Sequence, residues 1–303
     1  ITCTSTAKQR PEGGWLWKIS GNGLSHPSYL FGTYHGTYDI LYQYTDSIPE
    51  LHQASNACSQ FAGESETTSK PTPAQVGAAI KLPKDTTYAD LLNKEDFHFL
   101  DSIVRQSVKS PLNKVYIKPN FLALILGEIE KGKKLVDTGY SQSRIDSMKS
   151  QVMDIALEKK AKEKGLTIVG LEGIFDAFVS EKSNLKKEAD ELISDLREDD
   201  EISPLSFVNT LSDVYRTQNM KSLIDFEVKV DSIFRTSPKL TEIGKRIRED
   251  LLKRRNLNWM NKIPELMKAQ PTFIAVGVRH LPGKDGLIAL LLEKGYQVEP
   301  IGL

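Results

Sequence analysis

The sequence has too few cysteines for a disulfide framework. It contains 2 cysteines in 303 residues, Cys3 and Cys58, whereas small disulfide-stabilised domains carry several pairs. It also lacks an excess of charge of either sign, because 40 basic residues balance 40 acidic ones. A chain without net charge has no overall field that attracts nucleic acid or an anionic membrane. We therefore expect no nucleic-acid partner, and binding must be argued from local sites.

The sequence also lacks a long hydrophobic run. The apolar stretch FLALIL at 121–126 falls far short of the roughly 20 residues that cross a bilayer. The composition, 39% hydrophobic and 26% charged, is typical of a globular protein. The length allows a full core in one large or two moderate domains. These features predict a globular chain with no transmembrane segment, and they leave its oligomeric state open.

The first 14 residues, ITCTSTAKQRPEGG, contain no apolar pattern and predict a mobile tail. The tripeptide at 5–7, Ser-Thr-Ala, has the small-x-small form of a signal-peptidase site, so the tail can be the remnant of a signal peptide. A lipid-attached Cys3 is one alternative, although Thr2 is a poor fit to the preceding small residue, and a disordered start is another. Processing would make the protein extracytoplasmic: periplasmic, secreted or lipid-anchored.

Helices alternate with short apolar strands along the rest of the chain. The segments WLWKIS and PSYLFGT flank a glycine-rich turn and predict a hairpin. An amphipathic helix closed by Gly165 precedes LTIVGLEG, which we expect to be a buried strand, and the same order returns at the end with Gly295 before YQVEPI. The fold class predicted is α/β with a largely parallel central sheet, and the repeated unit allows two similar halves. We expect a single α/β domain over 15–303, with helical insertions near 71–134 and 176–252.

Four predicted strands end in a glycine followed closely by a side chain that can ligate a metal. The pairs are Gly32 with His35, Gly63 with Glu64, Gly170 with Glu172, and Gly277 with His280. The carboxyl ends of parallel strands share one edge of a sheet, where ligands bind. If the four strands lie in one sheet, two imidazoles and two carboxylates converge there.

Two histidines and a glutamate form a suitable ligand set for zinc, manganese or cobalt. An ion with an open position polarises a carbonyl and activates water, while a carboxylate outside its ligand shell can move protons. The alternative is that each histidine only makes a hydrogen bond at a strand end and each glutamate caps a following helix. The recurrence at four strand ends favours the metal site.

Arg255 falls on an apolar helical stripe. The stripe consists of Leu252, Arg255, Trp259, Ile263 and Leu266. A buried guanidinium needs a partner, either a strand-end carboxylate or an anionic group of the substrate or transition state. The alternative is that Arg255 snorkels, with its stem buried and its head in water. The neighbouring Asn256 either orients a ligand or faces solvent.

These residues resemble the TraB/GumN family, which includes the Tiki proteins. The resemblance covers most of the chain from Trp15 to Ile301. It rests on WKISGNGLSHPSYLFGTYHG, FAGESE, GLTIVGLEG, RRNLNW and FIAVGVRHLPGKDGLIALLLEKGYQVEPI. The last segment is the most specific. The sequence departs from the family pattern after Glu64, where Ser65 and Glu66 replace an apolar residue and an aspartate, and after GLEG, where the usual glutamine is not evident.

The resemblance implies an α/β fold related to erythromycin-esterase-like and haem-binding ChaN-like proteins. It implies that His35, Glu64 and His280 hold a divalent ion, and that Glu64, Glu172, Arg255 and Asn256 serve catalysis. Because Tiki members look like metal-dependent proteases and TraB is associated with shutting down a peptide pheromone, it implies hydrolysis of a peptide or protein substrate. The alternative function is a non-catalytic protein that binds haem or another small molecule at the same sheet edge.

Overall fold

A computed structural model describes most of the chain. The described residues are 13–35, 48–66, 71–137, 139–149, 152–176, 184–197 and 204–302. The predictions for residues 1–12 of the tail, including Cys3, and for residues 177–183 and 198–203 of the helical segment near 176–252 lie outside them. The contacts divide the chain into two compact units. The first comprises 1–68, 148–173 and 204–303, and the second comprises 69–147 and 174–203.

A six-stranded sheet forms the centre of the first unit. Its strands are β1 (Leu16–Gly21), β2 (Ser28–Thr33), β3 (Gln60–Gly63), β4 (Thr167–Gly170), β5 (Thr272–Gly277) and β6 (Tyr296–Pro300). They lie in the order β4-β3-β5-β2-β1-β6. The pairs β4·β3, β3·β5 and β5·β2 are parallel, whereas β1 runs antiparallel to both β2 and β6. The prediction of an α/β fold with a largely parallel sheet is therefore confirmed.

The register brings the ends of the four parallel strands to one edge. Thr33 lies opposite Gly277 in the β2·β5 pair. Gly63 lies opposite Gly170 on one side and Ala275 on the other. Since parallel strands in register end side by side, the residues that follow them share the same edge of the sheet.

Two predicted turns are present in the structure. One is the hairpin between β1 and β2, and the other is the glycine that closes the helix preceding β4. The turn uses Gly21, Asn22 and Gly23, all with positive φ, and only glycine and asparagine adopt that conformation readily. The helix α7 (Met153–Glu163) is followed by Gly165 at φ 78°. The expectation that the next strand is buried is wrong, because β4 is an edge strand and is only partly covered.

The helices of the first unit follow or precede the strands. They are α1 (Pro49–Asn56), α7 (Met153–Glu163), α9 (Pro204–Arg216), α10 (Met220–Phe234), α11 (Pro238–Arg246), α12 (Arg254–Trp259), α13 (Ile263–Ala269) and α14 (Leu287–Glu293). A short 3₁₀ turn, Val278–His280, directly follows β5. The core of this unit is apolar, and Ile19, Leu30, Ile274 and Trp259 are fully buried in it. Burial of this apolar surface is the main stabilising contribution to the fold.

The helical stripe predicted across 252–266 is interrupted in two places. The segment Ile247–Lys253, between α11 and α12, is π-helical. The helix then ends at Trp259 and a new one starts at Ile263, because Pro264 lacks an N–H and fits only the first turn of a helix. Arg255 and Trp259 therefore share a helix of only six residues.

The second unit is helical. It contains α2 (Pro73–Ile80), α3 (Tyr88–Leu91), α4 (Lys94–Val108), α5 (Pro119–Asp137), α8 (Leu185–Arg197) and most of α6 (Gln142–Lys149). Its own core includes Leu100, Val104 and Leu122. The helical segment predicted near 176–252 is thus shared between the two units. Throughout the described ranges, every helix is too short or too polar to cross a bilayer.

Candidate functional site

His35, Glu64 and His280 meet at the carboxyl edge of the sheet, as the four strand ends predicted. His35 follows β2, Glu64 follows β3, and His280 ends the 3₁₀ turn after β5. Glu64 Oε1 lies 3.2 Å from His35 Nε2 and 3.8 Å from His280 Nε2. Both imidazole rings thus point their Nε2 atoms at one carboxylate oxygen.

Gly277, the last residue of β5, makes room for these three groups. A Cβ atom at this position would lie 2.6 Å from His35 Nε2 and 3.2 Å from Glu64 Oε1. Its backbone N–H donates to Glu64 Oε1 at 2.7 Å. The glycine is needed here for close approach rather than for its backbone angles, since φ is −49°.

Arg255 lies between the two glutamates at the strand ends. One terminal nitrogen of its guanidinium group donates to Glu64 Oε2 and to Glu172 Oε1, each at 2.5 Å, and Nε donates to Glu172 at 2.9 Å. The side chain is only 10% exposed. The snorkelling alternative is therefore wrong, and the partners are the strand-end carboxylates that the sequence analysis named as one option. A planar guanidinium can bridge two carboxylates in this way, whereas an ammonium is a point charge.

Glu172 is fully engaged by protein groups. Besides Arg255, it accepts a hydrogen bond from Trp259 Nε1–H at 3.0 Å. The Trp259 ring also lies under the guanidinium group, and its centroid is 4.8 Å from Arg255 Cζ. The centroids of the Trp259 and His280 rings are 4.5 Å apart. Glu172 is thus placed to hold Arg255 and Trp259 in position.

Asn256 fixes the orientation of His280. Its Nδ2 donates to the backbone carbonyls of His280 and Asp285, at 3.2 and 2.8 Å. Its Oδ1 must then be the atom that faces His280 Nδ1, at 2.7 Å, and it accepts the Nδ1–H hydrogen bond. The Nε2 lone pair of His280 consequently points toward Glu64, where an N–H of Arg255 also reaches it at 3.3 Å. Of the two predicted options, Asn256 does not face solvent.

Asp154 belongs to this group of residues and was missed by the sequence analysis. It lies in the first turn of α7, and its Oδ2 is 3.3 Å from His35 Nδ1. Its Oδ1 accepts a hydrogen bond from the Thr33 hydroxyl at 2.6 Å. The only signal in the sequence is an acidic residue near a helix start, which is common for reasons unrelated to function.

The charges at the site shift the pKa values in opposite directions. Burial would lower the pKa of His35, but the carboxylates of Asp154 and Glu64 outweigh it and raise the pKa to about 9. Burial lowers the pKa of His280 to about 3. The Glu64 carboxylate acts in the opposite direction, whereas the charges of Arg255, His35 and Arg279 lower this pKa as well. Burial would raise the pKa of Glu64, yet the two imidazoles and Arg255 hold it well below its usual range. Glu64 is therefore an anion and His280 a neutral ring at neutral pH.

A sequence model of the TraB/PrgY/gumN family matches residues 15–300. The chain belongs to the TraB/PrgY/gumN family. The resemblance drawn from the strand-end motifs is confirmed, and the match includes both Gly-x-x-His motifs and all the side chains described above. Searches of curated proteins and of solved structures found no match.

Among the described residues of this TraB/PrgY/gumN protein, no group of three or more His, Cys, Asp or Glu side chains is arranged so that it could hold a metal ion. The candidate ligands instead contact one another and Arg255. Two ligands at about 2.0–2.1 Å from one tetrahedral ion lie about 3.3 Å apart. The distances of 3.2 and 3.8 Å to Glu64 Oε1 lie on either side of that value.

Proposed function

We propose that this protein is a metal-dependent hydrolase that cleaves peptide bonds. The observation that supports it best is the convergence of His35 Nε2, His280 Nε2 and Glu64 Oε1 beside Gly277, which has no side chain to fill the space between them. Two imidazoles and one carboxylate are the protein ligands of several catalytic zinc sites. Manganese and cobalt accept the same donor types.

In this proposal His35, His280 and Glu64 hold the ion. A divalent ion supplies Lewis acidity toward a carbonyl oxygen and makes water a better nucleophile at neutral pH. Glu64 is suited to the role because Arg255 binds its Oε2 and leaves Oε1 directed at the histidines. Glu64 then offers one oxygen as a ligand, which leaves positions open for substrate and water.

The other predicted catalytic residues act by holding these groups. Arg255 keeps Glu64 charged and fixed, and Glu172 holds Arg255 through two hydrogen-bonding oxygens. Asn256 fixes the tautomer of His280. Partners around metal ligands orient them. We propose that Glu172, Arg255 and Asn256 serve the reaction mainly in this way.

Several finer points are proposals for this chain that rest on its sequence. Family membership supports two of them, namely peptide bonds as the substrate and a fold related to erythromycin-esterase-like and ChaN-like proteins. The others are two similar halves, an extracytoplasmic location and the identity of the metal.

The proposal is tested with untagged protein that is stripped with a chelator and then given Mn²⁺, Co²⁺ or Zn²⁺. We expect metal-dependent cleavage of a peptide library, analysed by mass spectrometry, and no cleavage by His280→Ala. The control is His98→Ala, which removes an exposed histidine of the second unit. Equal cleavage with and without metal would refute the proposal. Saturable haem binding, seen by absorbance, without any cleavage would favour the ligand-binding alternative.

A further inference from the structure

The carboxylate of Asp154 is held rigidly against the far side of the His35 ring. Thr33 Oγ1 donates to Asp154 Oδ1 at 2.6 Å, and Thr33 is itself fully buried at the end of β2. The strand that leads to His35 therefore also fixes the carboxylate that faces it. The two residues are 121 positions apart in the sequence, so the contact is a product of the fold and not of local chain geometry.

The second oxygen of Asp154 is buried without a hydrogen-bond partner. Few buried side-chain atoms of the described residues share this state. A buried carboxylate oxygen without a donor is costly. The group that faces it is His35 Nδ1, at 3.3 Å. A small rotation of the imidazole, whose side chain is half exposed, would turn this ion pair into a hydrogen bond.

The Nδ1 atoms of the two histidines then both face a side-chain oxygen. Asn256 Oδ1 accepts from His280 Nδ1, and Asp154 Oδ2 faces His35 Nδ1. In each case the Nε2 atom is directed at Glu64 Oε1. Histidines that bind metals generally donate their other N–H to a carboxylate or carbonyl, which fixes the ring.

We propose that Asp154 is the positioning residue of His35. Its Oδ2 accepts the hydrogen bond from Nδ1–H, and this contact holds the Nε2 atom toward Glu64. A purely structural role for Asp154, as an acidic residue that stabilises the first turn of α7, is the competing explanation. With that role alone, replacing Asp154 would change the stability of the helix but not the exchange of the His35 Nδ1–H proton.

The first test follows the exchange of the imidazole Nδ1–H protons with water, by NMR on chelator-treated protein near pH 7. We expect His35 Nδ1–H to exchange about tenfold to a hundredfold faster in Asp154→Ala than in the wild type, as for loss of a hydrogen bond to a charged group. His280 Nδ1–H is the internal reference and should not change, because Asn256 holds it. Equal exchange of His35 Nδ1–H in both proteins would overturn the proposal.

The second test measures zinc affinity by competition with a chromophoric chelator, and this part rests on the proposed function. We expect Asp154→Ala and Asp154→Asn to bind zinc about 10- to 100-fold more weakly. The matched control is Asp85→Asn, since Asp85 lies at positive φ in an exposed turn, a conformation that asparagine accepts. If the wild type binds no zinc, the proposed function fails, while the exchange measurement still decides the role of Asp154. If the wild type binds zinc and both Asp154 variants bind it equally well, the proposal is refuted.

Discussion

Replacing Gly277 by alanine adds one methyl group at the point where the three candidate ligands meet. The backbone at Gly277, with φ −49° and ψ 133°, is accessible to any residue. Alanine also reduces the freedom of the unfolded chain, which by itself stabilises a protein by about 0.4–1 kcal/mol. The substitution therefore tests the space beside the ligands with little strain in the backbone.

The magnitude follows from the contacts of the added Cβ. It would lie 2.6 Å from His35 Nε2, whereas nonbonded heavy atoms prefer about 3.5–4.0 Å. The imidazole must move by about 1 Å, and its half-exposed side chain can do so at small cost. Metal ligands tolerate errors of only about 0.2 Å. We expect metal affinity to fall by more than the roughly 10- to 100-fold that loss of an outer-shell partner costs, while stability changes by about 1 kcal/mol or less.

The assay compares metal affinity, measured by chelator competition, with stability, measured by urea unfolding in the presence of excess chelator. The matched control is Gly127→Ala in α5, where a Cβ meets nothing within 4 Å. It should leave metal affinity unchanged and stabilise its helix by up to about 1 kcal/mol. If Gly277→Ala folds normally and binds metal as tightly as the wild type, the ion is not held where these ligands converge.

Four further predictions concern Arg255, His35, His280 and Asn256. Arg255→Leu should lower the free energy of unfolding in urea by about 3–5 kcal/mol, because two buried carboxylates lose their cation. Arg255→Lys should lower it less, because an ammonium keeps the charge but cannot bridge both carboxylates. Equal stability of the wild type and both variants would contradict the bridging role of Arg255. In metal-free protein, the free energy of unfolding should fall as pH rises from 6.5 toward about 9, because the folded state keeps a proton on His35 that the unfolded chain has lost. Because the His35 side chain is half exposed, we expect this fall to be at most about 1 kcal/mol. His35→Gln should abolish the dependence of stability on pH in this range. From pH 6.5 toward about 3 the free energy should also fall, because the unfolded chain protonates His280 while the buried ring stays neutral, and a flat profile would contradict this. Asn256→Ala should weaken zinc binding about 10- to 100-fold in the chelator assay, and unchanged affinity would refute its orienting role.

The convergence of His35, Glu64, Glu172 and His280 could be predicted from the sequence because it needs only two facts. Each residue follows an apolar strand that ends in glycine, and parallel strands end at the same edge of a sheet. The register of β2, β3, β4 and β5 then brings the four residues together. The glycine at position 277 also helped to locate the site, because a Cβ atom there would lie only 2.6 Å from His35 Nε2.

The partners of these residues could not be predicted in the same way. Asp154 reaches His35 from a helix far away in the sequence, and no local pattern marks the contact. The periodicity around Arg255 predicted one continuous helix, but it could not show the π-helical segment before it or the break before Pro264. The burial of β4 was overestimated because its apolar residues do not indicate that it lies at the edge of the sheet.

The most direct test of the central claim is an anomalous diffraction measurement on crystals of the untagged protein soaked in Zn²⁺, at wavelengths on both sides of the zinc absorption edge. We expect a single strong anomalous peak beside Gly277, about 2.0–2.2 Å from His35 Nε2, His280 Nε2 and Glu64 Oε1. Zinc bound elsewhere on the chain, or no peak at these three atoms while Arg255 and Glu64 keep their contact, would contradict it.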